Sequence, residues 1–185
     1  MKANVTKLKT NLVGKSTPEN KNGHSGRFVE QELITEGFEV DTRGTVDIPK
    51  LALEVKTRDV DAISAQTIGS MTPDDIKRTA YRDSNIFKKF QKQFRVYIKD
   101  SVIIDTKIVN FEWDEIQNRV ELSYEAARQR IANGTTKNYV PGGKFGYFER
   151  TNSGSESYDF RIRDKYMKKL ESMAQSTAKN LFTFE

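Results

Sequence analysis

Asp47 and the triplet Glu54-Val55-Lys56 combine residue types and a spacing that could do chemistry. Leu51, Leu53 and Val55 alternate with Ala52, Glu54 and Lys56, which predicts a half-buried strand over 51–57. Side chains two apart on a strand share a face, so Glu54 and Lys56 project together. Asp47 stands just before that strand, with six residues between it and Glu54, and can curl back to the same end. Two carboxylates and an ammonium would then converge. Mg²⁺ binds through one or two carboxylates and keeps several waters, so Asp47 and Glu54, with the Val55 backbone carbonyl, make a suitable donor set. Such an ion acidifies a water and stabilises charge on a phosphoryl oxygen. Lys56 could position or deprotonate that water. The same spacing suits the polar outer face of an amphipathic strand, because 31% of the chain is charged and chance matches are common.

Other chemistries are poorly supplied. The absence of cysteine excludes a disulfide scaffold, a zinc ribbon and a thiol nucleophile. A single histidine, His24, argues against a multi-histidine metal site and against a Ser-His-Asp triad with a spare base. Gly14-Lys15-Ser16-Thr17 resembles the end of a phosphate-binding loop, but Lys9 stands where that loop needs its first glycine. No apolar run approaches the roughly 20 residues of a membrane span. The basic N-terminus lacks the apolar core of a signal peptide. The expected location is the cytoplasm of a bacterial or phage-infected cell, with no membrane partner.

The elements that must position these residues follow from periodicity. Phe28, Val29, Leu33 and Ile34 recur at helical spacing and Gly37 stops the run, which predicts a helix over 26–36 with Glu30 on its polar side. A short strand is expected at 38–40 and a turn at Thr42-Arg43-Gly44. Further along, a strand is expected over 64–70 and a very basic helix over 74–93. Strands follow at 94–99 and 101–109, then a helix over 112–132 stopped by Asn133-Gly134. A loop over 135–143, strands at 147–150 and 158–163 around a polar turn at 152–157, and a closing helix over 165–179 complete the chain. The class is α/β, or α+β. Residues 1–22 read as a flexible basic arm and 23–185 as one domain.

Charge is segregated along the chain. Residues 29–76 hold eleven acids and four bases, net −7, and contain Glu30, Asp47, Glu54 and Lys56. They lie between 1–28, net +5, and 77–99, net +7. An acidic centre in a basic frame is the pattern of a metal-assisted site on a polyanion-binding surface.

The Asp…Glu-x-Lys spacing resembles the signature of the PD-(D/E)XK nucleases. Gly23-His24-Ser25-Gly26-Arg27-Phe28-Val29-Glu30, then Asp47, then Leu53-Glu54-Val55-Lys56-Thr57 together resemble the core of the MutH family. That family includes the mismatch-repair strand-nicking endonuclease and restriction enzymes that cut GATC. Ala65-Gln66-Thr67-Ile68 falls where the family has a threonine-containing strand. Lys92, ahead of Arg95-Val96-Tyr97-Ile98, is similar to a family lysine that contacts the active site. Residues 145–170 are similar to the family's DNA-reading hairpin and closing helix.

The resemblance implies a restriction-endonuclease-like mixed sheet flanked by helices, in two lobes around a DNA cleft. The catalytic lobe would span 23–110 and the DNA-reading lobe 111–185. Glu30, Asp47 and Glu54 would hold Mg²⁺, Lys56 would attend the nucleophilic water, and Lys92 would be a further catalytic group. Lys77, Arg78, Arg82, Lys88 and Lys89 are candidates for phosphate contacts. Lys144, Arg161, Arg163 and Lys165 are candidates for base edges or backbone, since arginine pairs bidentately with guanine. The expected function is Mg²⁺-dependent, sequence-specific cleavage of double-stranded DNA in the manner of a type II restriction enzyme, leaving 5′-phosphate ends. Cutting both strands calls for a homodimer or a partner subunit. The alternatives are a mismatch-repair nickase activated by a partner and a non-catalytic DNA-binding subunit.

Overall fold

The computed structural model describes residues 11–18, 24–41, 46–151 and 156–182. The expected turns at 42–44 and 152–155, and arm residues 1–10 and 19–22, lie outside the described residues. The elements run α1 (His24–Thr35), β1 (Glu54–Asp59), β2 (Gln66–Met71), α2 (Pro73–Arg78), α3 (Asn85–Gln91), β3 (Lys92–Lys99), β4 (Val102–Asn110), α4 (Asp114–Ala132), β5 (Tyr139–Pro141), β6 (Tyr147–Arg150), β7 (Tyr158–Ile162) and α5 (Asp164–Phe182). The class is mixed α and β, with two sheets. Among the described residues no helix is long and apolar enough to cross a membrane.

Two compact units interleave along the chain: Met1–Ala62 with Lys92–Val109, and Ile63–Gln91 with Asn110–Glu185. The sequence reading expected a single boundary near 110. Residues 63–91 instead join the second unit, because β2 pairs antiparallel with β7.

In the first unit the sheet order is β1-β3-β4, with β1 and β3 parallel. Val55, Phe94, Val96 and Ile98 are buried on one face, and α1 packs Val29 and Leu33 into the same core. Each such side chain contributes roughly 1.5–3 kcal/mol as an upper bound, so this apolar face is what holds α1 on the sheet. β3 and β4 are joined by Asp100-Ser101, both with positive φ, the requirement of a type I′ hairpin turn. The expected flexible arm is corrected over 11–18. Leu12 is 1% exposed, Gly14 N–H donates to the Ile103 carbonyl at 2.8 Å, and Ser16 bridges Val102. The arm continues the sheet because β4 leaves backbone groups to be paired. Residues 38–40 form no strand.

In the second unit the sheet order is β2-β7-β6-β5, antiparallel between the described neighbours. The Tyr124 ring of α4 meets Phe148 and Phe160 at centroid distances of 5.4 and 5.7 Å. Burial pushes the Tyr124 hydroxyl up to about 12. The expected helix over 74–93 is broken into α2, a 3₁₀ turn at Tyr81–Asp83 and α3. Tertiary contacts override its helical pattern. The Tyr81 amide donates to Glu125 Oε1 at 2.7 Å, its hydroxyl donates to Gln117 Oε1 at 2.8 Å, and the Ser84 hydroxyl caps α3 by accepting from Phe87 N–H at 3.1 Å. The expected loop over 135–143 contains β5, which pairs with β6.

Two glycines permit close packing here, Gly142 against α4 and Gly146 against the Phe160 ring of β7. A Cβ on Gly142 would lie 1.9 Å from the Ser123 carbonyl oxygen, and one on Gly146 would lie 2.3 Å from Phe160 Cζ. The Ser123 obstacle is backbone and cannot rotate away. Gly142→Ala is therefore expected to destabilise the protein by about 3 kcal/mol. Urea unfolding measures this, and an unchanged midpoint would contradict the packing described.

Candidate active site

A small turn converts the sequence spacing into geometry. Pro49–Leu51 forms one 3₁₀ turn, beginning at a proline whose missing N–H would have had no partner there. Ala52 then takes φ 49°, which reverses the chain. Ile48 and Leu53 exchange backbone hydrogen bonds of 2.9 and 3.2 Å across the turn. Closure brings Asp47 alongside β1, where Val55 N–H donates to Asp47 Oδ2 at 2.8 Å. Strand β1 consequently starts at Glu54, not at the expected 51, because 49–52 are consumed by the turn.

Glu54 and Lys56 share a face of β1, as their alternation predicts. Lys56 Nζ lies 2.9 Å from Glu54 Oε1. Glu54 is 2% exposed, so its charge is held away from water and depends on such pairing. The parallel register places Gln93 opposite Glu54 and Arg95 opposite Lys56. Both neighbours are buried, and Arg95 Nη1 donates to Gln93 Oε1 at 2.7 Å. Sequence reasoning assigned neither residue a role. The signal was present: polar 93 and 95 alternate with core residues Phe94 and Val96. Lys92, one position earlier, falls by strand alternation on the opposite face from Glu54 and Lys56. The register does not bring it to this group.

Glu30 completes the neighbourhood from α1. Its carboxyl is held above the usual carboxylate range, chiefly by burial and then by the Asp47 carboxylate. Arg27 and Lys56 act in the opposite sense, and Glu54 adds to the rise. The groups that Glu30 feels thus include Asp47, Glu54 and Lys56, residues far apart in sequence and close enough here to interact electrostatically. Among the described residues no three acidic or histidine side chains form a ready cage for one ion. A hard divalent cation does not require one, since Mg²⁺ takes one or two carboxylates plus waters. Asp47 and Glu54 are the carboxylates this neighbourhood offers, and Glu30 acts on it by its charge.

The chain matches no protein-family model and no curated protein sequence.

The nine cations expected to touch DNA all lie in the second unit. They differ in availability. Arg82 is engaged by Glu121 at 2.8 Å and Asn118 at 2.7 Å, and its guanidinium lies over Phe87. Arg161 pairs with Glu149, and Arg163 donates to the Tyr139 hydroxyl and to the Gly143 carbonyl while lying over Tyr147. These three guanidinium groups are oriented by the fold. Lys165 sits over the Tyr166 ring, and Lys77 has a 3.4 Å exposed pair with Asp74 that contributes little. The Lys89 stem runs past Gly69. Arg78, Lys88 and Lys144 are exposed.

The elevated Glu30 carboxyl gives a stability prediction with a definite sign. A carboxyl whose folded pKa exceeds its unfolded one binds more protons when folded, so its contribution is lost as pH rises through the elevated value. Glu30→Gln removes that opposed charge. In metal-free buffer the variant is expected to melt above the parent at pH 7.5 and level with it below about pH 4, near the unperturbed glutamate value. A variant less stable than the parent at pH 7.5 would contradict the electrostatic neighbourhood.

Proposed function

We propose that this protein is a Mg²⁺-dependent, sequence-specific endonuclease of double-stranded DNA, of the type II restriction kind, built on a restriction-endonuclease-like fold. The observation that carries this is the Val55-to-Asp47 hydrogen bond, which sets Asp47 beside the strand bearing the Glu54–Lys56 pair. Two carboxylates and one ammonium on a short, rigid turn and strand suit phosphodiester hydrolysis better than acyl transfer. The chain has no cysteine to serve as a thiol nucleophile.

A bound Mg²⁺ supplies positive charge toward a phosphoryl oxygen and acidity to a water. Asp47 and Glu54 would hold the ion, with the Val55 carbonyl completing the protein's donors. Glu54 holds Lys56 Nζ at 2.9 Å, which fixes an N–H donor on the same strand face. Lys56 can orient the attacking water and steady negative charge as the phosphorus–oxygen bond breaks. Arg95 and Gln93 back this face from β3 and keep its side chains from collapsing. Water adds to phosphorus, and the 3′ oxygen leaves as the hydroxyl, so the new ends are 5′-phosphate and 3′-hydroxyl. The exposed cations of the second unit would neutralise DNA phosphates, and the oriented Arg161 and Arg163 are the candidates to read bases.

The test is incubation of supercoiled plasmid with Mg²⁺, comparing the parent with Lys56→Ala. The parent is expected to give linear product through a nicked intermediate. Lys56→Ala should lower the rate about 10²–10⁴-fold. Nicked circle with no linear product would replace the restriction role by a strand-nicking one. Unimpaired cleavage by Lys56→Ala would overturn the site, and no cleavage by the parent across several DNA substrates would favour a non-catalytic DNA-binding subunit.

A further inference from the structure

The C-terminus of α4 adjoins a second cluster of cations within the second unit, of which Lys77 alone is among the cations expected to touch DNA. The helix ends in a Schellman motif: Gly134 N–H donates to the Ile131 carbonyl at 3.0 Å and Thr135 N–H to the Arg130 carbonyl at 3.2 Å, with Gly134 at φ 89°. Asn133 N–H donates to the Gln129 carbonyl at 2.9 Å. The last carbonyls are thus occupied by the chain's own amides, which blunts the negative end of the helix. On one side of this turn is a recess of about 420 Å³ lined by Arg130, Asn133, Lys137 and Tyr139 among others. On the other side is a recess of about 130 Å³ lined by Lys77 and Arg150. Gly134 and Thr135 are the wall common to both.

Four cations therefore surround one turn, and among the described residues no carboxylate lines either recess. Among the described residues, the acid paired with one of them is Asp74, at 3.4 Å from Lys77 on the surface. The backbone that carries these cations is held in place. The Lys137 carbonyl accepts from the Tyr158 hydroxyl at 3.0 Å, Arg150 N–H donates to the Asn138 carbonyl at 2.7 Å, and the Arg150 guanidinium lies over the Tyr158 ring. The Lys77 carbonyl accepts from Arg128 at 3.1 Å. Like charges gathered on a fixed frame repel one another, and an anion relieves that repulsion. Tyr139, 41% exposed at the edge of the larger recess, offers an aromatic face beside them. Cations and polar side chains held on a fixed frame are the chemistry that neutralises and positions backbone phosphates.

We propose that this turn is a phosphate-binding site for the DNA backbone, with Arg130 and Lys137 on one side and Lys77 and Arg150 on the other. It rests on the reading that the protein binds DNA and is independent of the catalytic assignment. Arg130, Lys137 and Arg150 would extend the DNA footprint beyond the cations expected from sequence. The site contributes affinity and salt dependence and carries no sequence preference.

Fluorescence anisotropy with a labelled 30-base-pair duplex in EDTA, over a series of NaCl concentrations, tests it. The double variant Arg130→Gln, Lys137→Gln is expected to bind about tenfold more weakly, with a log–log salt slope shallower by about 1.8, two phosphate contacts' worth. Lys99→Gln, Lys169→Gln removes the same net charge elsewhere and should keep the parent's slope. Melting temperatures establish that both variants are folded. Parent-like affinity and slope in the Arg130/Lys137 variant would overturn the proposal, as would an equal loss in the control pair. Loss of mononucleotide binding with duplex binding intact would assign the recess to a free nucleotide and also overturn it. If the parent binds no duplex at low salt, the DNA reading falls with it, whereas absent cleavage alone leaves this result standing.

Discussion

The hydrogen bond from the Val55 amide to the Asp47 carboxylate depends on everything before it and supports everything after it. It exists because Ile48 and Leu53 close a turn over Pro49–Leu51 and because Ala52 accepts a left-handed conformation. It sets one carboxylate against the residue that follows the buried Glu54 on the strand. Without it Asp47 would be an ordinary loop acid. With it, three carboxylates and an ammonium from α1, the turn and β1 fall within electrostatic reach. Glu30 registers these surroundings: its carboxyl is driven up chiefly by burial and then by repulsion from the Asp47 carboxylate. A fold that accepts such repulsion is placed to offset it with a cation.

The division of labour between the two units follows from chain topology. The acidic group is built wholly in the first unit, where β1 and β3 pair in parallel across the long insertion that contributes β2, α2 and α3 to the second. The second unit holds the expected DNA-contacting cations. Glu30, Asp47, Glu54 and Lys56 therefore lie in one unit and the nine candidate DNA-contacting cations in the other.

Much of the site was legible in sequence because strand alternation and a short spacing fix it locally. Glu54 and Lys56 share a face by the period of two, and Asp47 was expected to curl back to the same end, though the 3₁₀ turn over Pro49–Leu51 that brings it there was not. Glu30 was legible as a polar position on an amphipathic helix. Long-range register was not legible. Gln93 and Arg95 enter the site only because β3 aligns beside β1, and the same register turns Lys92 away. The broken basic helix was missed for a similar reason: Tyr81 and Ser84 answer to Glu125, Gln117 and a local cap, which a helical pattern does not reveal. Residues 11–18 read as a polar arm, yet Leu12 and the free backbone of β4 bind them to the first unit.

The central claim is that Asp47 and Glu54 form a divalent-cation site. Titration of the protein with Mn²⁺, following free ion by its electron paramagnetic resonance, measures this without reference to cleavage. The account predicts saturable binding by the parent, competed by Mg²⁺, and its loss in Asp47→Asn and in Glu54→Gln. Equal Mn²⁺ binding by the parent and both variants, or none by the parent, would contradict it.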